Sequence, residues 1–335
     1  MIEKTIKIDN KSDIPKYKQI ILSVYHAIEN NIIKKGDKIP SINEIANQFA
    51  LSRDTVLTAF SELKIRGIIE ASPGKGYYIK STDVKREQSI FLLFDELNSF
   101  KEILYNSFLE SIQDKASVDI YFHYFSKKVF TNLIKENLGR YTTYIIMPVY
   151  FTGIQPIISQ IRNANVYILD QLNPELANHY PAIYQNFRSD IYQSLASGMK
   201  QLKKYNKLVM VYPGGKEPAG MLEGFYDFCQ TKKFNYEIIK NLENRDLKQG
   251  EVYIMPNDYH LVELVKKAKS RGFKLGKDLG IISYNDTPLK EVVAEGITTI
   301  STDFAAMGKN LAKMVLNKSK EQIENPSSLI LRNSL

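Results

Sequence analysis

The sequence predicts an α/β protein in which a small helical domain precedes a larger, two-lobed body built on doubly wound sheets. Three observations support this prediction. The chain has 335 residues, which is enough for two or three domains. Apolar residues in the first 80 positions recur at helical spacing. The remaining 255 residues alternate strand-like runs with helical stretches, a pattern typical of parallel sheets covered by helices on both faces.

The composition excludes several classes of protein. Hydrophobic residues make up 44% and charged residues 24%, which is ordinary for a folded domain and too apolar for a disordered chain. A lone cysteine, Cys229, excludes a disulfide-stapled scaffold, and its place in a predicted helix favours core packing over nucleophilic chemistry. The histidines are widely spaced, so we expect no metal site. We expect no cofactor either.

The chain contains no signal of membrane insertion or export. No apolar run approaches the roughly 18 residues of a membrane span. The first seven residues contain no hydrophobic core of a signal peptide. We therefore expect a cytoplasmic protein that does not associate with membranes.

Positive charge is concentrated in the N-terminal part. Residues 1–80 hold 13 Lys and Arg against 9 Asp and Glu, a net of +4, and the remaining 255 residues hold 32 against 28, also +4. The first part is thus about three times more basic per residue. Such asymmetry favours a polyanion partner for the small domain, although charge alone is equally compatible with a solubilising surface.

Local signals in the first 80 residues define helices. Apolar residues at helical spacing predict a helix over 15–33. Ser41 and Glu44 form a capping box for a short second helix, and Ser52 caps a third helix that ends at Gly67. Three helices in close succession are the core of a helix-turn-helix unit.

Two short strands, near 68–71 and 77–79, follow these helices and flank a Pro- and Gly-rich turn. Residues 1–81 therefore predict a winged helix-turn-helix domain, whose third helix enters the major groove of DNA with its N-terminal residues nearest the bases. At that end Arg53 can donate two hydrogen bonds to a guanine edge. Ser52 and Thr55 can bind phosphate oxygens.

This segment resembles the GntR-type DNA-binding domain. The likeness is carried by GDKIPS at 36–41, SRDTV at 52–56 and PGKGYYI at 73–79, and it covers nearly all of residues 12–80. The family often has arginine where Asn43 and Leu57 stand, so the operator sequence is not implied. The resemblance implies contacts to double-stranded DNA from Ser41, Asn43, Ser52, Arg53, Asp54, Thr55, Pro73, Gly74 and Lys75.

Residues 82–88 are polar and predict a short linker to the body, 89–335. The body is expected to form lobe one from about 89–184 and 303–318, and lobe two from about 185–300. Predicted strands lie at 90–94, 118–122, 144–149, 166–169, 208–212, 237–239, 252–255, 280–284 and 298–300. Predicted helices lie near 100–115, 127–138, 153–163, 190–204, 217–232, 258–271 and 304–317.

Polar side chains follow several of these strands. Asp95 follows the first strand and Asp170 the fourth, Asn257 and Asp258 follow the seventh, and Asn285 and Asp286 follow the eighth. Ligands of parallel sheets bind beyond the carboxyl ends of the strands. Carboxylates accept hydrogen bonds from adjacent hydroxyls, and an aromatic face, such as that of Phe100 or Phe187, covers the C–H face of a sugar ring. This edge therefore predicts a site for a polyhydroxyl ligand.

The body is similar to the LacI/GalR-type effector domain, which shares its fold with periplasmic sugar-binding proteins. The likeness is clearest in GFKLGKDLGIISYND at 272–286 and TTISTDF at 298–304, and it covers about 89–318. It implies effector contacts from Asp170, Asn257, Asn285 and Thr302. The family commonly has arginine where Met221 stands and aspartate where Asn285 stands. Lys216 or Glu217 would then supply the missing charge.

The two parts together resemble arabinose-repressor-type regulators. The resemblance implies a DNA-binding repressor, not an enzyme, that responds to a small sugar, with a pentose or a deoxyhexose favoured. We expect a homodimer because operators of such domains are palindromic. One alternative is a winged helix fused to an aminotransferase-like enzyme, which requires a Schiff-base lysine in a cofactor context. Others are a transport binding protein, or a regulator that responds to a non-sugar or phosphorylated metabolite.

Overall fold

The computed structural model describes residues 2–12, 14–82, 88–162 and 164–335. It confirms the predicted fold class: an N-terminal winged helix-turn-helix, here called the head, precedes a body of two parallel-sheet lobes. Most of the predicted linker falls outside the described residues, because 83–87 are not among them. The linker prediction is wrong at its end, since Gln88 is already the first residue of a strand.

The head contains the predicted helices and wing together with two short elements that the sequence did not predict, α1 and β1. The first predicted helix ends at Glu29, four residues early, because Asn31 takes a positive φ of 55° and the chain turns. The elements are α1 (Ile2–Thr5), α2 (Lys16–Glu29), β1 (Lys38–Ile39), α3 (Ile42–Gln48), α4 (Arg53–Ile65), β2 (Ile69–Ser72) and β3 (Gly76–Ile79). The strands form one antiparallel sheet in the order β1-β3-β2.

Lobe one is a six-stranded parallel sheet in the order β14-β8-β7-β6-β4-β5. Its first strand alternates between two cores: Leu92 packs with Leu104 on one face, and Leu93 packs with Ile134 on the other. Burial on both faces explains why this strand reads as a continuous apolar run. The strands are β4 (Gln88–Phe94), β5 (Ala116–Phe122), β6 (Thr143–Ile146), β7 (Asn165–Asp170), β8 (Ala182–Tyr184) and β14 (Gln322–Glu324).

Lobe two has the order β10-β9-β11-β12-β13-β15, and all neighbours are parallel except β13 and β15. Its strands are β9 (Lys207–Val211), β10 (Tyr236–Ile239), β11 (Glu251–Met255), β12 (Gly280–Tyr284), β13 (Thr298–Thr302) and β15 (Ser327–Ile330). The helices of the body are α5 (Ser99–Ile112), α6 (Lys127–Glu136), α7 (Gln155–Ile158), α8 (Phe187–Ser197), α9 (Met199–Leu202), α10 (Ala219–Lys232), α11 (Asp258–Ser270), α12 (Pro288–Val292) and α13 (Phe304–Asn317).

The chain crosses between the lobes three times, after β8, after β13 and after β14. The sequence did not predict the third crossing, because β14 and β15 have only three and four residues. Two predicted helices are also corrected: 153–163 shrinks to α7, and 190–204 divides into α8 and α9 at Gly198. A Cβ at Gly198 would lie 2.7 Å from Cδ2 of Leu329, so β15 packs directly against this break.

No helix in the described part of the chain is both long enough and apolar enough to span a membrane. Cys229 is buried in the core of lobe two, as predicted, and burial raises the pKa of its thiol to about 12.

Candidate functional site

The N-terminal turn of α4 is fixed by its cap and open to solvent. Ser52 Oγ accepts a hydrogen bond of 3.2 Å from the backbone N–H of Thr55, and the two hydroxyl oxygens lie 2.8 Å apart. The side chains of Ser52, Arg53 and Asp54 are exposed, and Thr55 is half-buried. The predicted cap is confirmed, and the guanidinium of Arg53 is accessible to a partner.

The capping box of α3 is also confirmed. Ser41 Oγ accepts from the backbone N–H of Glu44, and a Glu44 carboxylate oxygen accepts from the backbone N–H of Ser41 at 2.7 Å. These bonds from Ser41 hold the pKa of the Glu44 carboxyl below its ordinary value. Asn43, in the first turn of the same helix, is exposed. The box therefore fixes the start of the helix while Asn43 remains accessible.

The wing presents its turn to solvent. Pro73, Gly74 and Lys75 are exposed, and the backbone N–H of Lys75 donates to the Ser72 carbonyl at 3.0 Å. Gly74 has a φ of 73°, which favours glycine. The wing is also fastened to α4, because the ring of Tyr77 packs edge-on against Phe60 with centroids 4.7 Å apart. Local patterns did not predict this contact, since it joins a helix to a strand 17 positions later.

The head contacts lobe one through α2 and not through the N-terminal turn of α4. Lys18 Nζ donates to the Arg140 carbonyl at 3.0 Å. Gly139 has a φ of 69°, and a Cβ there would lie 2.3 Å from Cγ1 of Ile14. A cavity of about 780 Å³ lies along this contact. The nine residues predicted to contact DNA are not among those that line it.

A second cavity, here called the cleft, lies between the lobes at the carboxyl ends of their strands. The space between its walls is about 930 Å³ when open solvent is included. Eight of the nine predicted effector residues line the cleft: Asp95, Phe100, Asp170, Lys216, Glu217, Met221, Asn257 and Asn285. Phe187 lines it as well. Asp258, which the sequence placed at this edge of the sheet beside Asn257, lines the cleft too. Lining residues that the sequence did not predict include Glu96, Lys101, Phe125, Gln185, Tyr284 and Lys290.

The placement of Thr302 corrects the prediction for that residue. Its side chain is buried, and its hydroxyl donates to the Pro326 carbonyl at 3.2 Å. Asn325 Nδ2 lies 3.4 Å from the same hydroxyl. Thr302 does not line the cleft, because it ends β13 where the chain crosses between lobes and bonds to the neighbouring crossing. It lies at one of the crossings between the lobes.

The lobe-one wall of the cleft has a buried charge cluster. Lys101 Nζ forms an ion pair with Asp95, and both side chains are buried. Gln185 Nε2 donates to Asp170 Oδ1 at 2.5 Å. Burial raises the pKa of Asp170, and the positive charge of Lys101 opposes the rise. The local sequence did not reveal Lys101, because its role depends on the first turn of α5 folding back over β4.

The lobe-two wall has a second buried lysine. Lys290 Nζ donates to the carbonyls of Tyr284 and Asn285, at 2.8 and 2.7 Å, and pairs with Asp258 at 2.8 Å. Burial lowers the pKa of Lys290, and the Asp258 carboxylate opposes that change. Asn285 has a φ of 60° and Asp170 one of 74°. Both residues that end strands at the cleft therefore adopt a sparsely populated backbone conformation, as functional residues often do.

One lysine joins the two walls. Lys216 Nζ, from lobe two, lies 3.2 Å from both carboxylate oxygens of Glu96, from lobe one. It also lies 5.2 Å from the ring centroid of Phe125 in lobe one. Gly214 and Gly215, directly before it, both have positive φ. This segment therefore brings a cation across the mouth of the cleft.

Four buried polar atoms of cleft residues have no hydrogen-bond partner in the described protein: Gln185 Oε1, Glu217 Oε2, Tyr284 OH and Asn285 Oδ1. Buried polar atoms are normally satisfied, so unpartnered ones lining a cavity point to a bound ligand or ordered water. In the described part of the chain, no group of three or more His, Cys, Asp or Glu side chains could hold a metal ion.

Two family models match separate parts of the chain. The model of the bacterial regulatory proteins of the gntR family matches residues 16–79. The model of the periplasmic binding protein-like domain matches residues 203–335. The chain thus joins a winged helix-turn-helix that matches the gntR-family model to a body that matches, over its second part, the periplasmic binding protein-like model.

Two relatives each match a stretch of 74 residues. The HTH-type transcriptional repressor YtrA of Bacillus subtilis is 42% identical over 74 residues, 22% of this chain and 57% of that protein. The arabinose metabolism transcriptional repressor of Geobacillus stearothermophilus is 36% identical over 74 residues, 22% of this chain and 20% of that protein. The chain thus spans less than two thirds of the length of these relatives.

Solved structures resemble the body. The lactose repressor bound to the anti-inducer ONPF has a TM-score of 0.63 at 16% identity, over 73% of this chain and 99% of that one. A periplasmic binding protein/LacI transcriptional regulator from Alkaliphilus metalliredigens, complexed with D-xylulofuranose, has a TM-score of 0.59 at 14% identity, over 74% and 98%. At such identities the likeness establishes the fold alone.

Proposed function

We propose that this protein is a transcriptional repressor whose head binds a double-stranded DNA operator and whose cleft binds a small sugar that controls it. One observation carries the proposal. A single chain joins a winged helix, whose wing and N-terminal turn of α4 are exposed, to an interlobe cleft with four unpartnered buried polar atoms. Two relatives of the head are named as repressors, which supports the sign of regulation. We also propose that the protein is located in the cytoplasm and that it is not an enzyme.

The operator contacts come from the three exposed segments of the head. Arg53 reads a base edge, and Lys75 in the wing neutralises a phosphate. The hydroxyls of Ser41 and Ser52 donate to phosphate oxygens while they cap their helices, and the hydroxyl of Thr55 donates to a phosphate oxygen as well. Asn43, Asp54, Pro73 and Gly74 complete the contact surface.

A sugar suits the chemistry of the cleft. Asp170 and Glu217, on opposite walls, accept hydrogen bonds from hydroxyls, and the rings of Phe100 and Phe187 offer apolar faces. One relative is named for arabinose metabolism, and one structural neighbour is complexed with D-xylulofuranose. We therefore favour a pentose or a deoxyhexose.

Control follows from linkage between the two sites. The sugar binds both walls and stabilises the closed arrangement of the lobes. In a homodimer, closure changes the spacing of the two heads against half-sites one helical turn, or a multiple of it, apart. If the sugar weakens DNA binding tenfold, DNA must weaken sugar binding tenfold, which is a coupling of about 1.4 kcal/mol.

The test combines a sugar screen with DNA binding. A thermal-shift screen of free pentoses and deoxyhexoses should find a ligand that stabilises the protein by about 2.7 kcal/mol at a hundredfold excess over its Kd. Electrophoretic shift of DNA fragments should then show that this sugar releases the operator. A protein that binds no DNA, or a sugar that leaves DNA affinity unchanged, would contradict the proposal.

A further inference from the structure

Every lysine that lines the cleft is already neutralised by a carboxylate of the protein. Lys101 pairs with Asp95 on the lobe-one wall, and Lys290 pairs with Asp258 on the lobe-two wall. Across the mouth, Lys216 pairs with Glu96. No arginine is among the lining residues. An anionic ligand would therefore find no free side-chain cation in the described cleft.

The carboxylates of the cleft outnumber these cations. Asp170 and Glu217 line it and form no ion pair in the described part of the chain. Three of the unpartnered buried atoms, on Gln185, Glu217 and Asn285, are oxygens that only accept hydrogen bonds. The cleft therefore offers an excess of acceptors, which favours a ligand rich in hydroxyl or amine donors.

Helix N-termini are the other common anion sites, and two of those at the cleft, of α5 and α11, are occupied by side chains, whereas α10 begins beside Pro218 without a side-chain cap. The side chain of Asn98 accepts from the backbone N–H of Lys101 at the start of α5. The side chain of Asn257 accepts from the backbone N–H of His260 at the start of α11. At these two helices amide oxygens thus take the place that a phosphate oxygen would occupy.

We propose that the cleft selects a donor-rich ligand without negative charge, such as a free monosaccharide, and rejects its phosphate ester, with Glu96 as a specificity-determining residue. The inference rests on the proposed effector function and narrows its ligand class. Glu96 has this role because Lys216 is the most accessible lysine of the three, with its side chain 51% exposed against 6% and 4% for Lys101 and Lys290. Glu96 cancels the one cation that a phosphate could readily reach.

The test compares matched free and phosphorylated sugars on the full-length protein. Isothermal titration would use D-ribose and D-xylulose with their 5-phosphates, D-glucose with its 6-phosphate, and inorganic phosphate as a bare anion. We expect each sugar that binds to do so at least tenfold more tightly than its ester, about 1.4 kcal/mol, and inorganic phosphate to show no binding. Equal or tighter binding of an ester overturns the proposal.

The variant Glu96→Gln isolates the specificity residue. It removes the charge that neutralises Lys216 and keeps the side-chain size, so we expect the preference for free sugar to fall at least threefold and weak phosphate binding to appear. Glu110→Gln, which changes an exposed carboxylate of α5 that does not line the cleft, should leave both values unchanged. The assignment to Glu96 is overturned if both variants behave as the wild type does.

Failure of this inference is distinguishable from failure of the effector proposal. If no sugar or ester binds, the proposal of a sugar effector is contradicted. Titration with inorganic phosphate then still tests whether Glu96 prevents Lys216 from binding an anion. Phosphate binding to the wild type that is lost in Lys216→Met would then overturn the inference. Phosphate binding only to Glu96→Gln would support it.

Discussion

Lys101 and Asp95 form a buried ion pair on the lobe-one wall of the cleft, with side chains 6% and 3% exposed. The same lysine also opposes the rise in the pKa of Asp170 that burial causes. One cation therefore offsets the negative charge of two carboxylates. This arrangement ties the stability of lobe one to the residues proposed to hold the ligand.

The substitution Lys101→Met should destabilise the protein strongly. It leaves Asp95 buried and without its counter-charge, which typically costs about 3–5 kcal/mol. Urea unfolding followed by circular dichroism would measure the loss. The double variant Asp95→Asn/Lys101→Met should recover part of it, because no unpaired charge then remains at that position.

A matched surface lysine provides the control. Lys207 pairs with Glu237, and the two side chains are 36% and 32% exposed. Lys207→Met should cost no more than about 1 kcal/mol, since exposed ion pairs contribute little. Equal losses for the two lysine variants would show that burial of the Lys101 pair has no special energetic weight.

Asp190 should make stability depend on pH. This carboxyl, in the first turn of α8, is buried with Oδ2 unpartnered, and burial followed by the nearby charge of Glu324 raises its pKa from 3.8 to about 7. Between these pKa values the folded protein keeps a proton that the unfolded chain releases, so this group's contribution to stability falls as pH rises from about 4 to 7.

The variant Asp190→Asn tests this dependence. It should be more stable than the wild type at pH 8, by an amount on the order of 2 kcal/mol, and the difference should shrink as the pH is lowered towards 4. Thermal unfolding at several pH values measures the difference directly. Parallel pH profiles for the two proteins would mean that Asp190 titrates as an ordinary exposed carboxyl does.

Arg53 should contribute to sequence discrimination. Arg53→Ala removes the proposed contact to a base edge, and we expect a loss of about 1–3 kcal/mol in operator affinity with relaxed preference at one base pair. Fluorescence anisotropy on the operator and its single-base variants would measure both effects. Lys64→Ala, an exposed cation in the last turn of the same helix, should leave the preference intact.

Lys75 should contribute affinity without discrimination. Lys75→Ala removes a proposed phosphate contact in the wing, so binding should weaken about equally on all DNA sequences. The slope of log affinity against log salt concentration should become shallower by about 1, because fewer counterions are released. An unchanged salt slope would argue against contact between the wing and the DNA backbone.

Local signals in the sequence predicted the head with accuracy. The caps at Ser41 and Ser52 and the Gly-rich turn of the wing each act within a few residues, so the sequence alone reveals them. The short strands β14 and β15 escaped prediction because three or four residues at a sheet edge lack a clear periodicity. Their partners, β8 and β13, lie far away in the sequence.

By itself, the sequence determined the fold class, the winged head and the cleft residues that directly follow strands, such as Asp95 and Asn257. These follow from periodicity and from the rule that parallel strands share a carboxyl edge. Only the tertiary structure decided that Lys101, Lys290 and Gln185 complete the cleft and that Thr302 lies outside it, at a crossing between the lobes. The reason is physical: charge pairing and burial depend on which distant segments meet, and the strand order and lobe crossings that bring them together leave no local signal in the chain.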